Sequence, residues 1–152
     1  MPLAECGFHD QLGLSGTQAL VNTGPTLVVD IGFDVSFHAS PSGGTPTVAA
    51  KNIPALIDTG ATESCIDDQL AQSLSLPLVD RRKISGIGGH HEVSVYLAQI
   101  VTPLFGYVQY GQFSGVALRQ GGQKHEVLLG RTFLRTFFMI YDGVRGQVTL
   151  AR

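Results

Sequence analysis

Apolar and polar residues alternate regularly in the stretch "TLVVDIGFDVSFH", residues 26–38. Most even positions carry a polar residue or glycine, and the apolar odd positions are Leu27, Val29, Ile31, Phe33, Val35 and Phe37. A period of two places successive side chains on opposite faces of a strand. The pattern predicts a β-strand with one buried face, followed by a flexible turn in "ASPSGGTP".

The middle of the chain predicts further short strands and one helix. A second strand covers residues 48–57, with an interruption at Pro54. The stretch "DDQLAQSLSL" predicts a short helix, with Asp67 as its cap and Pro77 as its end. Over residues 83–127, short β-prone runs alternate with glycine.

The last part of the chain shows three distinct patterns. "EVLLG" predicts a short buried strand. "RTFLRTFF" predicts a helix with Phe133, Leu134 and Phe137 on one side. "FMIYDGVRGQVTLAR" predicts a hairpin that turns near residues 144–146.

These patterns together favour a small, mostly antiparallel sheet or barrel, because the chain has 19 glycines and no long helical period. Residues 1–24 lack a sustained period and predict a loosely structured N-terminal arm, so the folded domain is expected over residues 25–152. A chain of 152 residues with 43% hydrophobic content builds one core of ordinary size. The sequence contains no internal repeat.

Composition narrows the range of partners. The formal charge of −2, with only 10 lysines and arginines, provides no basic field for phosphates, so nucleic acid is not an expected partner. The amino terminus lacks the apolar core of a signal peptide, and no apolar run approaches the ~20 residues that span a bilayer. A cytoplasmic protein without a membrane partner is expected, with Cys6 and Cys65 as free thiols.

The stretch "ALIDTGATES" contains the candidate chemistry. A carboxylate after a buried strand is costly unless something uses it. The tripeptide Asp58–Thr59–Gly60 is weak alone, because Asp before glycine commonly forms a plain turn. Here the strand brings Asp58 to its end, Thr59 can fix geometry through its hydroxyl, and Gly60 lets the backbone approach a ligand closely. This arrangement suits activation of a water molecule.

Hydrolysis of an amide by water needs both a base and an acid. Two carboxyl groups close together can share one proton and perform both tasks. This chain has one Asp58 motif and no repeat, so the second carboxylate must come from a second molecule. The chemistry therefore predicts a symmetric homodimer with Asp58 of each subunit at the two-fold axis.

Three segments, in order, resemble those of the retropepsin-like aspartic peptidases, the single-domain homodimeric relatives of pepsin. "ALIDTGATES" is similar to their catalytic strand and turn, "KISGIGGHHEVSV" to their glycine-rich flap hairpin, and "VLLGRTFL" to their strand, Gly-Arg pair and helix. The resemblance covers residues 25–151 and indicates a non-viral member. It implies an all-β, closed acid-protease barrel with one short C-terminal helix, active as a symmetric homodimer.

The resemblance also implies roles for individual residues. Asp58 would be the catalytic acid, Thr59 would brace the two active-site loops across the dimer, and Gly60 would offer backbone hydrogen bonds. Gly130 and Arg131 would support the site. The implied substrate-binding residues are Ala61, Thr62, Gly86, Ile87, Gly88 and Gly89. The last four form the flap tip, under which an extended peptide would bind as an added strand. No cofactor and no metal are implied.

Other interpretations of these motifs are weaker. "GIGGHH" has His91 in the place of the third glycine of a dinucleotide fingerprint, and it opens a strand pattern. His90 and His91 are adjacent, so they face opposite sides of a strand and are expected as solvated flap residues rather than metal ligands. Cys65 has an apolar setting and is expected in the core, not as a nucleophile.

Two features depart from the viral pattern. In viral relatives the matching arginine pairs with an acid just after the catalytic motif, whereas Thr62 stands there in this chain, followed by Glu63. The partner of Arg131 is therefore open between Glu63, another acid and solvent. Viral members also interleave their terminal strands in the dimer, whereas residues 139–152 predict a self-contained hairpin.

The sequence thus predicts an aspartic endopeptidase, a hydrolase in which water is activated between two Asp58 carboxylates. The alternative is a catalytically silent retropepsin-like module for dimerisation or peptide binding, because a fold does not guarantee activity. A third possibility is a precursor in which residues 1–24 cover the groove until they are removed.

Overall fold

The computed structural model describes all of residues 1–152, and ten β-strands dominate it. The strands are β1 Leu3–Glu5, β2 Thr26–Gly32, β3 Ala50–Ile57, β4 Cys65–Asp67, β5 Leu78–Gly86, β6 Gly89–Thr102, β7 Tyr107–Val116, β8 Val127–Leu129, β9 Phe138–Asp142 and β10 Gln147–Ala151. The helices are α1 Gly16–Thr23, α2 Asp68–Ser73 and α3 Arg131–Leu134, with a 3₁₀ turn at Pro103–Phe105. The predicted all-β class is confirmed, with two helices besides the C-terminal one.

Six strands close into a barrel in the order β2-β3-β8-β4-β7-β6, and β2 pairs with β6 to complete the ring. The closing contact is antiparallel and joins Asp30 to Val101. Pairs β3–β8 and β4–β7 are parallel, whereas the other barrel pairs are antiparallel. The predicted closed and mostly antiparallel barrel is confirmed. Strand β5 lies outside the ring and pairs only with β6.

A second, three-stranded sheet has the order β1-β10-β9. The predicted hairpin β9–β10 is confirmed and turns between Asp142 and Gln147, where Gly146 has a φ of 70°. Strand β1 of the same chain pairs with the other edge of β10. Strand β10 is therefore the central strand of a sheet formed within one chain, and β1 and β9 are its outer strands. One edge of β9 has no partner strand.

The core fills the barrel and the space beneath the second sheet. Phe133 of α3 is fully buried and stacks on Phe137, with ring centroids 4.8 Å apart. Burial of such a side chain contributes roughly 1.5–3 kcal/mol. The predicted C-terminal helix is too long, because α3 ends at Leu134 and Phe137 lies beyond it, but Phe133 anchors α3 in the core directly after β8.

The predicted strand over residues 27–37 is too long, because β2 ends at Gly32. The Asp34 carboxylate accepts hydrogen bonds from the backbone N–H groups of Ser36 at 3.1 Å and Thr47 at 2.9 Å. The side chain of Gln99 bonds both the N–H and the C=O of Asp34. These local bonds replace a strand ladder, so Val35 is exposed despite its place in the pattern.

The other central elements agree with the patterns except in detail. Strand β3 begins at Ala50 and runs through Pro54 without interruption, since the Pro54 carbonyl still accepts the N–H of Glu126 at 3.1 Å. Helix α2 is capped as predicted, by Asp67 Oδ2, which accepts the N–H of Leu70 at 3.2 Å. None of the helices is long and apolar enough to cross a membrane.

Residues 1–24 differ from the expected loose arm, because they contain β1 and α1 and pack into the main core. Cys6 and Leu20 are almost completely buried there. The Cys6 N–H donates to the Val148 carbonyl at 2.7 Å, and its carbonyl accepts the N–H of Thr26 at 2.8 Å. A Cβ on Gly146 would lie 2.4 Å from the Gly16 carbonyl carbon, so glycine here permits close packing of two backbones.

Candidate active site

The parallel strands β3 and β8 bring the candidate residues together. Ile57 at the end of β3 pairs with Leu129 at the end of β8, so the chain leaves both strands at the same edge. Asp58 follows β3 and Gly130 follows β8. The Asp58 N–H donates to the Leu129 carbonyl at 3.0 Å, which extends the pairing up to the acid. Two of the three segments singled out in the sequence therefore meet at one place.

The turn after β3 orients the Asp58 carboxylate. Its Oδ1 accepts the N–H of Gly60 at 2.9 Å, and the Asp58 carbonyl accepts the N–H of Ala61 at 3.3 Å. Asp58 and Ala61 are half-buried, whereas Thr59 and Gly60 are exposed. The carboxylate is thus held by the backbone of its own loop while one side remains open to a ligand.

Arg131 braces this loop from α3. Its guanidinium donates to the Thr59 carbonyl at 2.8 Å and to Thr62 Oγ1 at 2.8 Å. The question left open by the sequence is thereby answered, because the partner of Arg131 is neither Glu63 nor another acid. The Thr59 carbonyl and the Thr62 hydroxyl each accept one hydrogen bond from the planar guanidinium group.

The main chain joins the same two segments. The Arg131 N–H donates to the Ala61 carbonyl at 2.9 Å, and the Thr132 N–H donates to the Thr62 carbonyl at 3.0 Å. The backbones approach so closely that a Cβ on Gly130 would lie 2.5 Å from the Glu63 carbonyl oxygen. Only glycine fits at that position.

Two residues near Asp58 differ from the predictions. Ser64 was not among the predicted site residues, and Cys65 was predicted in the core. Ser64 is buried, and its hydroxyl accepts the N–H of Gly130 at 3.1 Å and donates to Gln109 Oε1 at 3.3 Å. No periodic signal marks it, since it lies between an irregular loop and the three-residue strand β4. Cys65 is only half-buried rather than a full core residue.

The Cys65 thiol lies within the field of Asp58. Burial raises the pKa of this thiol to about 12, against a hydrogen bond from Leu128, and the Asp58 charge adds to the rise. A thiol with so high a pKa stays protonated at neutral pH and is a poor nucleophile. Cys65 therefore contributes a neutral thiol beside the Asp58 carboxylate.

The third predicted segment forms a hairpin of β5 and β6. Gly86 pairs with Gly89, so the turn consists of Ile87 and Gly88, and Gly89 has a φ of 101°. Ile87 is fully exposed at the tip, and His90 and His91 are exposed on the following strand, as expected. The tip forms no hydrogen bond to the Asp58 loop within the single chain.

A family model described as gag-polyprotein putative aspartyl protease matches residues 45–136, which is more than half of the chain. The chain belongs to this family, and the resemblance to retropepsin-like aspartic peptidases is confirmed. The matched residues include the Asp58 loop, the glycine hairpin and the Gly130–Arg131 pair.

The chain is similar to the structure of the EIAV protease complexed with the inhibitor HBY-793, with 19% identity and a TM-score of 0.48, over 73% of this chain and 85% of that one. No curated protein matches the sequence.

Proposed function

We propose that the protein is an aspartic endopeptidase that acts as a symmetric homodimer. The observation that carries the proposal is the Asp58 carboxylate, held at the open end of β3 by the Gly60 N–H at 2.9 Å and by a loop that Arg131 braces. The Asp58–Thr59–Gly60 motif occurs once in the chain. The second carboxylate comes from Asp58 of the partner subunit, placed at a two-fold axis.

The reaction needs one proton shared between the two Asp58 carboxyl groups. The ionised carboxylate takes a proton from water while the water oxygen bonds to the carbonyl carbon of the peptide. The protonated partner gives its proton to the carbonyl oxygen, which produces a neutral tetrahedral diol. The first Asp58, now protonated, gives its proton to the amide nitrogen while the ionised partner takes a proton from a diol hydroxyl, so the C–N bond breaks and a carboxylic acid and an amine are released. Two carboxyl groups at close range do not both ionise, because their negative charges would repel each other. One proton therefore stays shared between them.

The remaining predicted residues would hold the substrate. An extended peptide would lie between the Asp58 loop and the hairpin tip, with Ala61 and Thr62 below it. Gly86, Ile87, Gly88 and Gly89 would close over it from above. A two-residue turn with glycine on both sides can move and can present backbone groups to a peptide strand. Thr59 would brace the two loops across the dimer.

Replacement of Asp58 by Asn tests this function. Asparagine cannot share or transfer the proton, so we expect cleavage to fall by at least about a thousandfold. The measurement is digestion of a peptide library at acid and neutral pH, followed by mass spectrometry. Asp80→Asn, on the exposed strand β5, is the matched control and should cleave like the parent chain.

Proteolysis retained by pure Asp58→Asn protein contradicts the proposal. Binding of a transition-state isostere by the parent chain without turnover at any pH would instead identify a peptide-binding module.

A further inference from the structure

A cavity of about 500 Å³ lies beside the end of β2, in a part of the chain that the proposed function does not use. Cavities of about 300–1,000 Å³ with mostly apolar walls and a few polar groups are typical of sites for small ligands. This cavity has that character. The residues that line it include Phe33, Asp34, Phe37, His38, Gln99 and Tyr110.

The cavity lies at the end of the barrel opposite to Asp58. Gly32, the last residue of β2, pairs with Gln99 beside the cavity, and Ile31 pairs with Ala50, the first residue of β3. Asp58 follows the other end of β3. This strand has eight residues, so about 23 Å separates its two ends at ~3.3 Å per residue. A ligand in the cavity is therefore remote from the Asp58 loop.

Three aromatic side chains line the cavity. The rings of Phe33 and Tyr110 are nearly parallel, with an interplanar angle of 22° and centroids 6.3 Å apart. The Phe37 N–H donates to the Asp34 carbonyl at 3.2 Å, which closes a β-turn and brings a third ring to the cavity. Tyr110 is 60% exposed, so a ligand can reach its ring. The faces of aromatic rings carry partial negative charge and attract cations.

Asp34 gives the cavity a negative charge that no basic residue neutralises. No lysine or arginine lines the cavity, and none of the ion pairs of the chain includes Asp34. The Thr47 N–H at 2.9 Å and the Ser36 hydroxyl at 2.7 Å donate to the carboxylate and lower the pKa of Asp34. The carboxylate is therefore ionised at neutral pH, and its charge favours cations over anions.

Gln99 of β6 fixes this turn to the barrel. Its side chain is buried, its Oε1 accepts the Asp34 N–H at 2.7 Å, and its Nε2 donates to the Asp34 carbonyl at 3.1 Å. Both ends of one buried amide thus hold the main chain of a single residue. The acid and the aromatic rings are therefore in place before a ligand arrives, which lowers the entropic cost of binding.

We propose that this cavity binds an organic cation with a trimethylammonium head group. Aromatic rings favour a weakly hydrated cation, and Asp34 supplies the opposite charge. A primary ammonium group is strongly hydrated and would lose more by leaving water. The inference is independent of the proposed function, because the cavity and the Asp58 loop lie at opposite ends of the barrel.

Choline tests the site, with 3,3-dimethyl-1-butanol as its uncharged isostere. The two molecules have nearly the same shape, so we expect the charge to make choline bind at least about tenfold more tightly. The measurement is a titration followed by ¹H–¹⁵N NMR spectra at about pH 8, where histidine is ordinarily uncharged. The amide signals of residues 33–39 and 110 should shift, and those of residues 58–61 should not.

A peptide with one trimethyllysine presents the same head group on a side chain. A second titration with this peptide therefore distinguishes a free cation from a modified side chain as the source of the ligand. Tighter binding of either probe than of the isostere supports the site. Binding of neither probe overturns it.

Substitutions of Tyr110 and Asp34 locate the binding energy. Tyr110→Leu removes a ring and should weaken choline binding about tenfold, whereas Tyr110→Phe keeps the ring and should bind like the parent chain. Tyr141→Leu is the matched control, because Tyr141 is 53% exposed and lies outside the cavity. Asp34→Asn should also weaken binding, with Asp80→Asn on the exposed strand β5 as its control.

Equal affinities for choline and its isostere would overturn the proposal, as would signal shifts confined to the Asp58 loop. Full choline binding by Tyr110→Leu would do the same. Asp58→Asn should bind choline like the parent chain. The two proposals therefore fail separately, since proteolysis depends on Asp58 and choline binding depends on Tyr110 and Asp34.

Discussion

At the scale of single residues, Arg131 shows how this chain manages without the acid of viral relatives. Its guanidinium binds the Thr62 hydroxyl and the Thr59 carbonyl, both at 2.8 Å. Neither partner titrates in the range where carboxylates do. The brace on the Asp58 loop is therefore independent of pH, whereas an arginine–carboxylate pair weakens once the acid is protonated.

Gly130 is the most constrained position near the site. Gly130→Ala would push a methyl group against the Glu63 carbonyl oxygen, 2.5 Å from the ideal Cβ position. Because backbone atoms must move, we expect a loss of at least about 2 kcal/mol in the free energy of unfolding. Urea unfolding measures it. Gly111→Ala is the control, since a Cβ there meets nothing within 4 Å, and equal stabilities for the two variants would refute the contact.

His125 makes stability depend on pH. It is buried, its Nε2 lies 2.7 Å from Thr26 Oγ1 and its Nδ1 lies 3.0 Å from Gln123 Oε1. Burial lowers the pKa of His125, and the charge of Lys124 contributes. Below its unfolded pKa of about 6.5 the unfolded chain binds a proton that the folded chain resists. The stability from neutral His125 is full above that pH and is lost as the pH falls towards the folded pKa.

We therefore expect the melting temperature to fall between neutral and mildly acid pH, and the fall to be smaller in His125→Gln. The exposed His38→Gln variant should retain the full fall of the parent chain. An unchanged pH profile in His125→Gln would exclude this source of acid sensitivity.

At the scale of elements, the amino-terminal segment is the clearest departure from what the pattern predicts. A strand of three residues is too short to show alternation, and α1 has only eight. Glycines that normally indicate flexibility serve here for close backbone contact, as at Gly16 and Gly146. The segment belongs structurally to the β1-β10-β9 sheet rather than to a groove cover.

Substitutions at Leu20 and Leu12 distinguish a packed N-terminal segment from a loose one. Leu20 of α1 is 2% exposed and Leu12 is fully exposed in the preceding turn. Leu20→Ala should cost about 2–5 kcal/mol of unfolding free energy, and Leu12→Ala should change it by less than about 0.5 kcal/mol. Thermal or urea unfolding measures the change in unfolding free energy for both variants. A loose arm would make both substitutions neutral.

At the scale of the whole molecule, the sequence predicted the features that depend on residues close together along the chain. The cap at Asp67, the hairpins and most of the strands are local features, and they are confirmed, although β2 is shorter than its pattern predicts. Closure of β2 on β6 joins residues some seventy positions apart, for example Asp30 and Val101, and has no local signal. Ser64 and the partner of Arg131 depend on how two distant loops meet, which no spacing in the sequence reveals.

The loop that carries Asp58 takes much of its shape from main-chain atoms, through the bonds from Asp58 to Leu129, from Arg131 to Ala61 and from Thr132 to Thr62. Every amino acid except proline offers the same main-chain groups. Side chains at Ala61 and Glu63 are therefore free to change during evolution without moving the Asp58 carboxylate. Such a loop lets a lineage vary the surface around Asp58 while the carboxylate keeps its position.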